Sequence, residues 1–304
     1  MNILIKDVAA LLPDGTTPTL NIAIADDRIL SMGDVPHDFH ADKTIDGTRH
    51  FAIPGLVNAH THASMTLLRS YADDMKLMDW LQTMIWPIEA KLHSDDIYWG
   101  AMLAAVEMIR SGTTAFADMY GPDMDRVAEV TEVSGLRGVL ARGLIGVAPD
   151  ADKKLEENAA LYETYHGAAD GRITVMFGPH ALYTGPPDYL KKIAQRAQQL
   201  GAEIHIHMSE TVGEVESCLK DYGKGPFAHV ESTGLFENGT IAAHCVHLDD
   251  EDFSIIKKHN IRIAHNPGSN MKLASGIAPV PRMLKEGICV ALGTDGASSN
   301  NNLD

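Results

Sequence analysis

Cysteine is scarce in this chain of 304 residues, which contains only three. Cys218, Cys245 and Cys289 are odd in number, widely spaced and set in apolar sequence. Disulfide frameworks need paired cysteines and belong mainly to secreted proteins. We therefore expect no disulfide, three reduced residues that serve packing, and a cytoplasmic location.

Long hydrophobic runs are also missing. No stretch of about 18 consecutive apolar residues occurs, which is the length that a membrane-spanning helix needs. The N-terminal sequence MNILIKDVAALLPDGTTP lacks the basic stretch and the long apolar core of a secretory signal. The sequence thus predicts neither secretion nor membrane spanning.

Positive charge is in short supply, because 25 Lys and Arg residues face 41 Asp and Glu residues, for a net charge of −16 at pH 7. Nucleic-acid backbones and anionic membranes recruit Lys and Arg, so this balance argues against both as partners. A small neutral or cationic molecule is the expected ligand. A nucleotide-binding glycine loop is excluded too, since the only glycine cluster, YGKGP at 222–226, has neither Walker nor dinucleotide spacing.

The first part of the chain has a sequence pattern that is typical of short β-strands. Residues 2–51 carry alternating apolar segments, ILIKDVAALL and LNIAIADDRILSMG, interrupted by turn sequences at 13–15 and 26–27. Such alternation is typical of antiparallel strands. We predict a small β-sandwich-like domain at 1–51, followed by a barrel domain at 52–304.

The remainder of the chain alternates strand-like apolar runs with longer amphipathic stretches, which indicates βα units and a parallel sheet. Eight strand-like runs can be counted, at 55–62, 113–120, 137–146, 173–184, 202–210, 240–248, 261–270 and 289–299. Eight parallel strands with helical returns predict an α/β fold, a (β/α)8 TIM-type barrel. Its catalytic residues are expected at the carboxyl ends of the strands.

His60 and His62 close the first of these runs, within GLVNAHTHA. Residues two apart on a strand project to the same face, so the two imidazoles could hold one metal ion between them. Zinc suits such ligands. The spacing alone leaves a chance arrangement equally open in a chain that has 15 histidines.

Further titratable side chains fall where the barrel rule places functional residues. They lie at or near the ends of the fourth to eighth runs: His180, His207, Glu210, His244, His265 and Asp295. A random distribution of histidines would rarely coincide with so many strand ends. The pattern therefore predicts one site at the carboxyl ends of the strands.

Taken together, these motifs resemble the amidohydrolase superfamily. The resemblance is carried by HTH at the first strand, IHMSE at the fifth, AAHCVH at the sixth, HNPGSNMKLASGIAP at the seventh and LGTDGASSNNN at the eighth. WPIE at 86–89, ARG at 141–143 and GPHALYT at 178–184 are similar, more narrowly, to the 5-methylthioadenosine/S-adenosylhomocysteine deaminases. HTH alone would be a weak signal, but the ordered set is specific and covers essentially the whole chain.

The resemblance implies one zinc ion held by His60, His62, His207 and Asp295. The chemistry supports this set, because three neutral imidazoles and one carboxylate leave an open position for a water molecule that the metal acidifies. Nitrogen and oxygen ligands would also accept Fe(II) or Mn(II). Asp295 could alternatively serve only as the N-cap of a following helix.

Three residues would carry the chemistry by this resemblance: Glu210, His244 and Asp295. Glu210 would shuttle protons and supply one to adenine N1, while Asp295 would accept the proton of the attacking water. His244 would orient that water and stabilise the charge that develops on oxygen. We interpret His205 and His247 as ordinary core histidines and His265 as intermediate.

The resemblance also implies substrate-binding residues, which are Glu89, Arg142 and His180 together with Glu210 and Asp295. Glu89 would accept both ribose hydroxyls, His180 would bond to the purine ring or the ribose, and Arg142 would meet a homocysteine carboxylate.

Two further features of the substrate region are expected. Lys153 and Lys154 stand near the place where some relatives carry a second arginine, which weakens any expected preference for S-adenosylhomocysteine. An apolar lid over the thioether, or equally a part of the core, is expected from Leu77, Trp80, Met84 and Trp86.

The expected reaction is zinc-dependent hydrolytic deamination of the adenine ring in methylthioadenosine, S-adenosylhomocysteine and adenosine, which gives the inosine analogue and ammonia. One alternative is a related hydrolase that acts on guanine, a pterin, cytosine or a triazine. Another is a non-catalytic metal-binding barrel that serves as a binding module. The oligomeric state stays open, with a homodimer or homotetramer as candidates.

The position of Asp304 carries a further expectation. It follows Asp295 by only nine residues, before a helix could cover strand eight. We expect a C-terminal portion beyond it to complete the barrel and the β-sandwich half formed by 1–51.

Overall fold

The framework of the molecule consists of β-strands. Those at the N-terminus pair in both parallel and antiparallel directions, and those that follow are all parallel. A computed structural model describes residues 1–304, which separate into the units Met1–Gly55 and Leu56–Asp304. The boundary predicted from the sequence, between 51 and 52, lies four residues before the end of the first unit.

The first unit is one five-stranded sheet. Its strands are β1 (Asn2–Ala10), β2 (Thr19–Ala25), β3 (Arg28–Met32), β4 (Lys43–Asp46) and β5 (Phe51–Ala52). The pairs β1–β2 and β2–β3 are antiparallel, as expected, whereas β4 and β5 pair with β1 in parallel. Alternating apolar residues indicate a half-buried strand of either direction, so the expectation of antiparallel pairing was wrong for β4 and β5.

The second unit contains a curled, all-parallel sheet of nine strands. They are β6 (Leu56–His62), β7 (Thr113–Tyr120), β8 (Arg137–Leu144), β9 (Ile173–Pro179), β10 (Ile204–Met208), β11 (Thr240–His244), β12 (Arg262–His265), β13 (Val290–Leu292) and β14 (Asp295–Gly296). Each of the eight predicted runs contains a strand, and the eighth run contains two. The sheet is consistent with a TIM-type barrel.

The last two strands join opposite ends of this sheet. β13 pairs with β12, whereas β14 pairs with β6, and only two residues separate β13 from β14. The sheet order therefore begins at β13 and ends at β14, its neighbour in the sequence. This arrangement brings Asp295, on β14, into register with Thr61, between the two histidines of β6.

Helices connect most of the parallel strands. The longer ones are Ser94–Ser111, Met124–Ser134, Ala151–Tyr165, Pro187–Leu200, Val212–Tyr222 and Asp250–Lys258. Shorter helical segments, including one π-helical stretch at Leu81–Ile85, are Ala63–Leu68, Leu77–Trp80, Trp86–Glu89, Ala168–Gly171, Leu182–Thr184, Pro226–Glu231, Leu235–Glu237, Pro267–Lys272, Val280–Lys285 and Ala297–Asn300. None of the helices has the length and apolar content needed to cross a membrane.

The helix Pro187–Leu200 shows how local sequence sets these elements. Proline occupies its first turn, where a missing N–H costs nothing, and Gly201 ends it with φ of +69°. Its buried residues recur at helical spacing, at Tyr189, Ile193 and Ala197 among others, and pack against the sheet side of the core. The helix is the one predicted from PDYLKKIAQRAQQLG.

Gly293 lies in the short gap between β13 and β14, where the chain passes very close to β6. A Cβ at this position would lie 2.3 Å from Oδ1 of Asn266, and 2.8 and 2.9 Å from the backbone O and N of His60. Backbone atoms of a central strand cannot move aside without shifting that strand. Glycine is therefore required for strand eight to approach the first histidine.

Gly293→Ala should destabilise the protein by about 1–3 kcal/mol, the usual cost of overpacking a tight site. Thermal unfolding, measured by calorimetry, checks this. Gly213→Ala is the matched control, because its added Cβ would meet nothing closer than 3.9 Å within the helix Val212–Tyr222. Equal melting temperatures for the two variants would contradict the proposed close approach.

Candidate active site

One cavity at the carboxyl ends of the parallel strands collects the side chains expected to be functional. Its free space is about 720 Å³, part of which is open solvent. Eight of the nine predicted site residues line it: His62, Glu89, Arg142, His180, His207, Glu210, His244 and Asp295. The ninth, His60, is fully buried beside them, with its ring centroid 4.9 Å from that of His62.

Five of these side chains form one cluster around His60. Oδ1 of Asp295 lies 3.3 Å from Nε2 of His60 and 3.1 Å from Nε2 of His62. Ligand atoms of His60, His62 and His207 lie within 4.8 Å of one another, and those of His60, His244 and Asp295 do so as well. Histidine nitrogens and a carboxylate oxygen at this spacing could hold a metal ion.

The hydrogen positions that these contacts imply also favour a metal ion in this cluster. Nδ1 of His62 contacts the carbonyl oxygen of Met119, and a carbonyl can only accept, so Nδ1 carries a hydrogen. In a neutral imidazole Nε2 is then a bare lone pair that faces a carboxylate oxygen. Two lone pairs repel each other at 3.1 Å unless a proton or a cation lies between them. The site is therefore built to attract positive charge.

The pKa values follow from the same geometry. Burial alone would lower the pKa of His62, but the contact with Asp295 and its charge outweigh burial and raise this pKa to about 9. Burial would raise the pKa of Asp295, yet its contacts with His60 and His62 hold it well below its usual range. Burial lowers the pKa of His60 to about 4 and that of His207 well below the ordinary value. Without a metal, His62 therefore carries the compensating proton, while His60 and His207 are neutral imidazoles near the ionised carboxylate. A divalent ion could take the place of that proton.

Hydrogen bonds at Nδ1 hold the rings of His207 and His244 in place. Nδ1 of His207 lies 2.7 Å from the carbonyl oxygen of His180, and Nδ1 of His244 lies 2.8 Å from Oδ1 of Asn270. Such hydrogen bonds fix both tautomer and ring orientation, and leave Nε2 directed at the cluster.

Glu210 follows β10 and sits beside the cluster. Its carboxylate accepts a hydrogen bond from Oγ of Ser275 at 3.2 Å and lies 3.8 Å from Nε2 of His244. The backbone N–H groups of Ser209 and Glu210 donate to the Glu214 carboxylate, at 3.1 and 2.9 Å, which fixes the turn that presents Glu210. Burial raises the pKa of Glu210, so its carboxyl holds a proton more readily than an exposed one.

Glu89 enters the cavity from the helix Trp86–Glu89, which follows directly after the π-helical stretch Leu81–Ile85. Burial raises the pKa of its carboxyl. The buried hydroxyl of Tyr120 has no hydrogen bond of good geometry, and the nearby Glu89 carboxylate adds to the burial that raises the pKa of this tyrosine. The carboxylate of Glu89 is therefore a hydrogen-bond acceptor in the wall of the cavity.

Arg142 also lines the cavity, and most of its guanidinium is already hydrogen-bonded within the protein. Nε donates to Glu157 at 3.1 Å and Nη1 donates to the carbonyl oxygen of Gly143 at 3.0 Å, while Nη2 makes no hydrogen bond within the protein. Lys153 lies 3.5 Å from the other carboxylate oxygen of Glu157. Because Nε and Nη1 are already hydrogen-bonded, Nη2 is the donor that is available to a ligand.

The remaining expectations have mixed outcomes. Leu77, Trp80 and Trp86 line the cavity together with Leu81 and Ile85, whereas Met84 packs into the core and does not line it. Nδ1 of His180 lies 3.0 Å from Oγ1 of Thr184, and burial lowers the pKa of His180 to about 3.

Several supporting residues were not identified from the sequence. His205, interpreted as an ordinary core histidine, places Nε2 2.9 Å from Nδ1 of His60. The hydroxyl of Ser299 donates to Oδ2 of Asp295 at 2.9 Å, and Asn270 supports His244 as described above. A signal for His205 was present, since its spacing from His207 is the same period of two that singled out His60 and His62.

Comparison with known proteins agrees with this architecture. The model of the amidohydrolase family matches residues 51–304. The chain belongs to the amidohydrolase family. A 5-methylthioadenosine/S-adenosylhomocysteine deaminase from Pelotomaculum thermopropionicum is 54% identical over 309 residues, which cover 100% of this chain and 71% of the relative. The resemblance expected from the motifs is thereby confirmed.

Two solved structures of the amidohydrolase fold superpose over 99% of the chain. One is an adenosine deaminase from Xanthomonas campestris with bound zinc, 31% identical, with a TM-score of 0.91 and 71% of that chain covered. The other is an atrazine chlorohydrolase from Arthrobacter aurescens complexed with zinc, 23% identical, with a TM-score of 0.89 and 73% covered. The second similarity supports the fold alone.

Proposed function

We propose that this amidohydrolase-family protein is a zinc-dependent aminohydrolase that deaminates the adenine ring of 5′-methylthioadenosine, S-adenosylhomocysteine and adenosine. The observation that carries the proposal is the shared cavity, in which a cation-attracting His and Asp cluster, a proton-holding glutamate and a second, separate glutamate all meet. The cluster and the proton-holding Glu210 suit hydrolysis. The second glutamate, Glu89, suits the binding of a nucleoside.

The ligands proposed for the metal are His60, His62, His207 and Asp295. The fit is supported by Nε2 of His60 and Oδ1 of Asp295, which are buried and make no hydrogen bond within the protein. When bound, a zinc ion would supply a water molecule of lowered pKa at neutral pH.

Glu210 is proposed to deliver a proton to ring nitrogen N1 of the adenine. The ring can take up an electron pair at C6 only if N1 gains a proton, and a buried carboxyl with a raised pKa is suited to hold one. Asp295 would accept the proton of the attacking water, and Nε2 of His244 would orient the oxygen and stabilise its developing charge. Asp295 would then pass that proton to the amino group, which would leave C6 as ammonia, while the proton of the C6 hydroxyl would return to Glu210.

Substrate recognition is proposed to use the rest of the wall. Glu89 would accept both ribose hydroxyls, since one carboxylate offers two acceptor oxygens to a vicinal diol. His180 would bond to the purine or the ribose, and Nη2 of Arg142 would meet the carboxylate of a homocysteine tail. The apolar residues Leu77, Trp80 and Trp86 would cover the thioether.

The finer architecture forms part of the same proposal. We take the parallel strands to be a (β/α)8 barrel in which β13 and β14 together act as the eighth strand. The N-terminal sheet would be one half of a β-sandwich. A cytoplasmic location accords with the three cysteines, all of which are free thiols.

Ammonia release from a substrate panel, paired with metal analysis, tests the function. Methylthioadenosine, S-adenosylhomocysteine and adenosine should release ammonia, while guanine and a chlorinated triazine should react far more slowly. About one zinc per chain is expected on the ligand count. Fast turnover of guanine or the triazine without turnover of adenosines would favour the alternative hydrolase, and bound zinc without any turnover would favour a binding module.

Glu210→Gln should lower kcat by roughly two to four orders of magnitude, which is the usual share of general acid–base catalysis. Glutamine keeps the shape of the side chain and removes the titrating proton. Zinc content, measured on the same preparation, should stay at the wild-type level because Glu210 is not proposed as a ligand. Loss of zinc in this variant would instead make Glu210 a ligand.

Glu89→Ala should remove most of the preference for adenosine over 2′,3′-dideoxyadenosine. A hydrogen bond to a charged group contributes about 1.5–3 kcal/mol, so loss of the diol should lower kcat/KM of the wild type roughly tenfold or more. In the variant the partner is already gone, and both substrates should react alike.

The ratio of the two kcat/KM values provides the internal control for this experiment. A general effect of Glu89→Ala on folding or on the metal would slow both substrates equally and leave the ratio intact. An unchanged ratio would remove Glu89 from the ribose site.

A further inference from the structure

The hydrogen bonds that hold the clustered imidazoles differ at one position. His62, His207 and His244 each direct Nδ1 at an oxygen atom, and the two carbonyl oxygens among these partners can only accept. His60 instead directs Nδ1 at another imidazole, at 2.9 Å from Nε2 of His205. An imidazole nitrogen can donate or accept, so the state of His205 determines the tautomer of His60.

The two rings are set for a single, well-defined contact. Their centroids are 4.9 Å apart and their planes meet at 78°. Both side chains are completely buried, so no solvent can take the place of either partner. His205 also shares β10 with His207, so the strand that carries one proposed ligand supports another on β6.

Only one arrangement of hydrogens leaves His60 ready to bind a cation. If His205 donated from Nε2, His60 would accept at Nδ1 and carry its own hydrogen on Nε2, the atom that faces Asp295. If His205 accepts at Nε2, His60 carries its hydrogen on Nδ1 and Nε2 keeps its lone pair. The acceptor state of His205 is therefore the one that a metal site requires.

We infer that His205 is a positioning residue whose Nε2 accepts the Nδ1–H of His60 and so fixes the tautomer and orientation of that ligand. The inference rests on the metal site of the proposed function and adds to it a residue outside the cavity wall.

Packing alone does not explain an imidazole at position 205. In the acceptor state its hydrogen lies on Nδ1, which is buried and has no hydrogen-bond partner. A buried N–H without an acceptor is destabilising compared with an apolar side chain. The imidazole of His205 thus lowers the stability of the fold, but it gives His60 a hydrogen-bond acceptor.

The contrast between His205→Gln and His205→Asn tests the inference. The amide of glutamine reaches the position of the imidazole Nε2 and can accept from His60, whereas asparagine reaches only the position of Nδ1. Both variants remove the ring and leave one amide. Their zinc dissociation constants are measured on the full chain by competition with a chromophoric chelator, and their melting temperatures are measured without metal.

His205→Asn should bind zinc about 10- to 100-fold more weakly than the wild type, the usual effect of losing a partner of a ligating histidine. His205→Gln should stay close to the wild type. The matched control is His229→Asn, because His229 is also buried with a partnerless ring nitrogen but belongs to the helix Pro226–Glu231. It should leave zinc affinity unchanged.

Equal zinc affinity in the Gln and Asn variants would overturn the inference, whether both match the wild type or both fall with the melting temperature. If His205→Asn does not fold, His205→Leu replaces it as the variant without an acceptor, with the same expectations. A wild-type protein that takes up no zinc would overturn the proposed metal site itself, and this result differs from equal affinities measured against a zinc-binding wild type.

Discussion

The carboxylate of Asp295 facing two imidazole nitrogens is the contact on which the site depends. An ionised carboxylate buried at 5% exposure is unfavourable unless positive charge compensates it. Here a raised pKa on His62 supplies that charge as a proton, and the same atoms could supply it through a divalent ion. A single constraint thus explains why the carboxylate stays ionised, why His62 holds a proton, and why the centre favours a metal.

That contact requires the two ends of the parallel sheet to meet. Asp295 lies on β14 and the histidines on β6, at opposite ends of the chain's second unit, and pairing in register brings them together. The approach is possible because Gly293 presents no side chain to the backbone of His60. Ser299 then holds the second carboxylate oxygen, so Oδ1 alone faces the imidazoles. The pairing that joins the two ends of the sheet therefore also places the Asp295 carboxylate beside the imidazoles.

The fold could be predicted from periodicity, whereas the polar centre needed the strand ends together with the resemblance to a known family. A period of two placed His60 and His62 on one face, and strand ends identified Glu210, His244 and Asp295. Direction of pairing in the first sheet could not be predicted, since parallel and antiparallel strands share that period. Contacts such as Asn270 with His244 join residues far apart in sequence, and no local pattern reports them. The contact of His205 with His60 was not predicted, although the spacing of two between His205 and His207 is visible in the sequence.

The residues proposed for chemistry and those proposed for recognition lie on different kinds of structure in this molecule. The proposed metal ligands and Glu210 lie on strands or the turns just after them, where hydrogen bonds to backbone and neighbouring rings fix their positions. Glu89 instead lies just after a π-helical stretch, a rare geometry that is often found at functional sites. A change in this stretch could alter which substrate is held without disturbing the cluster.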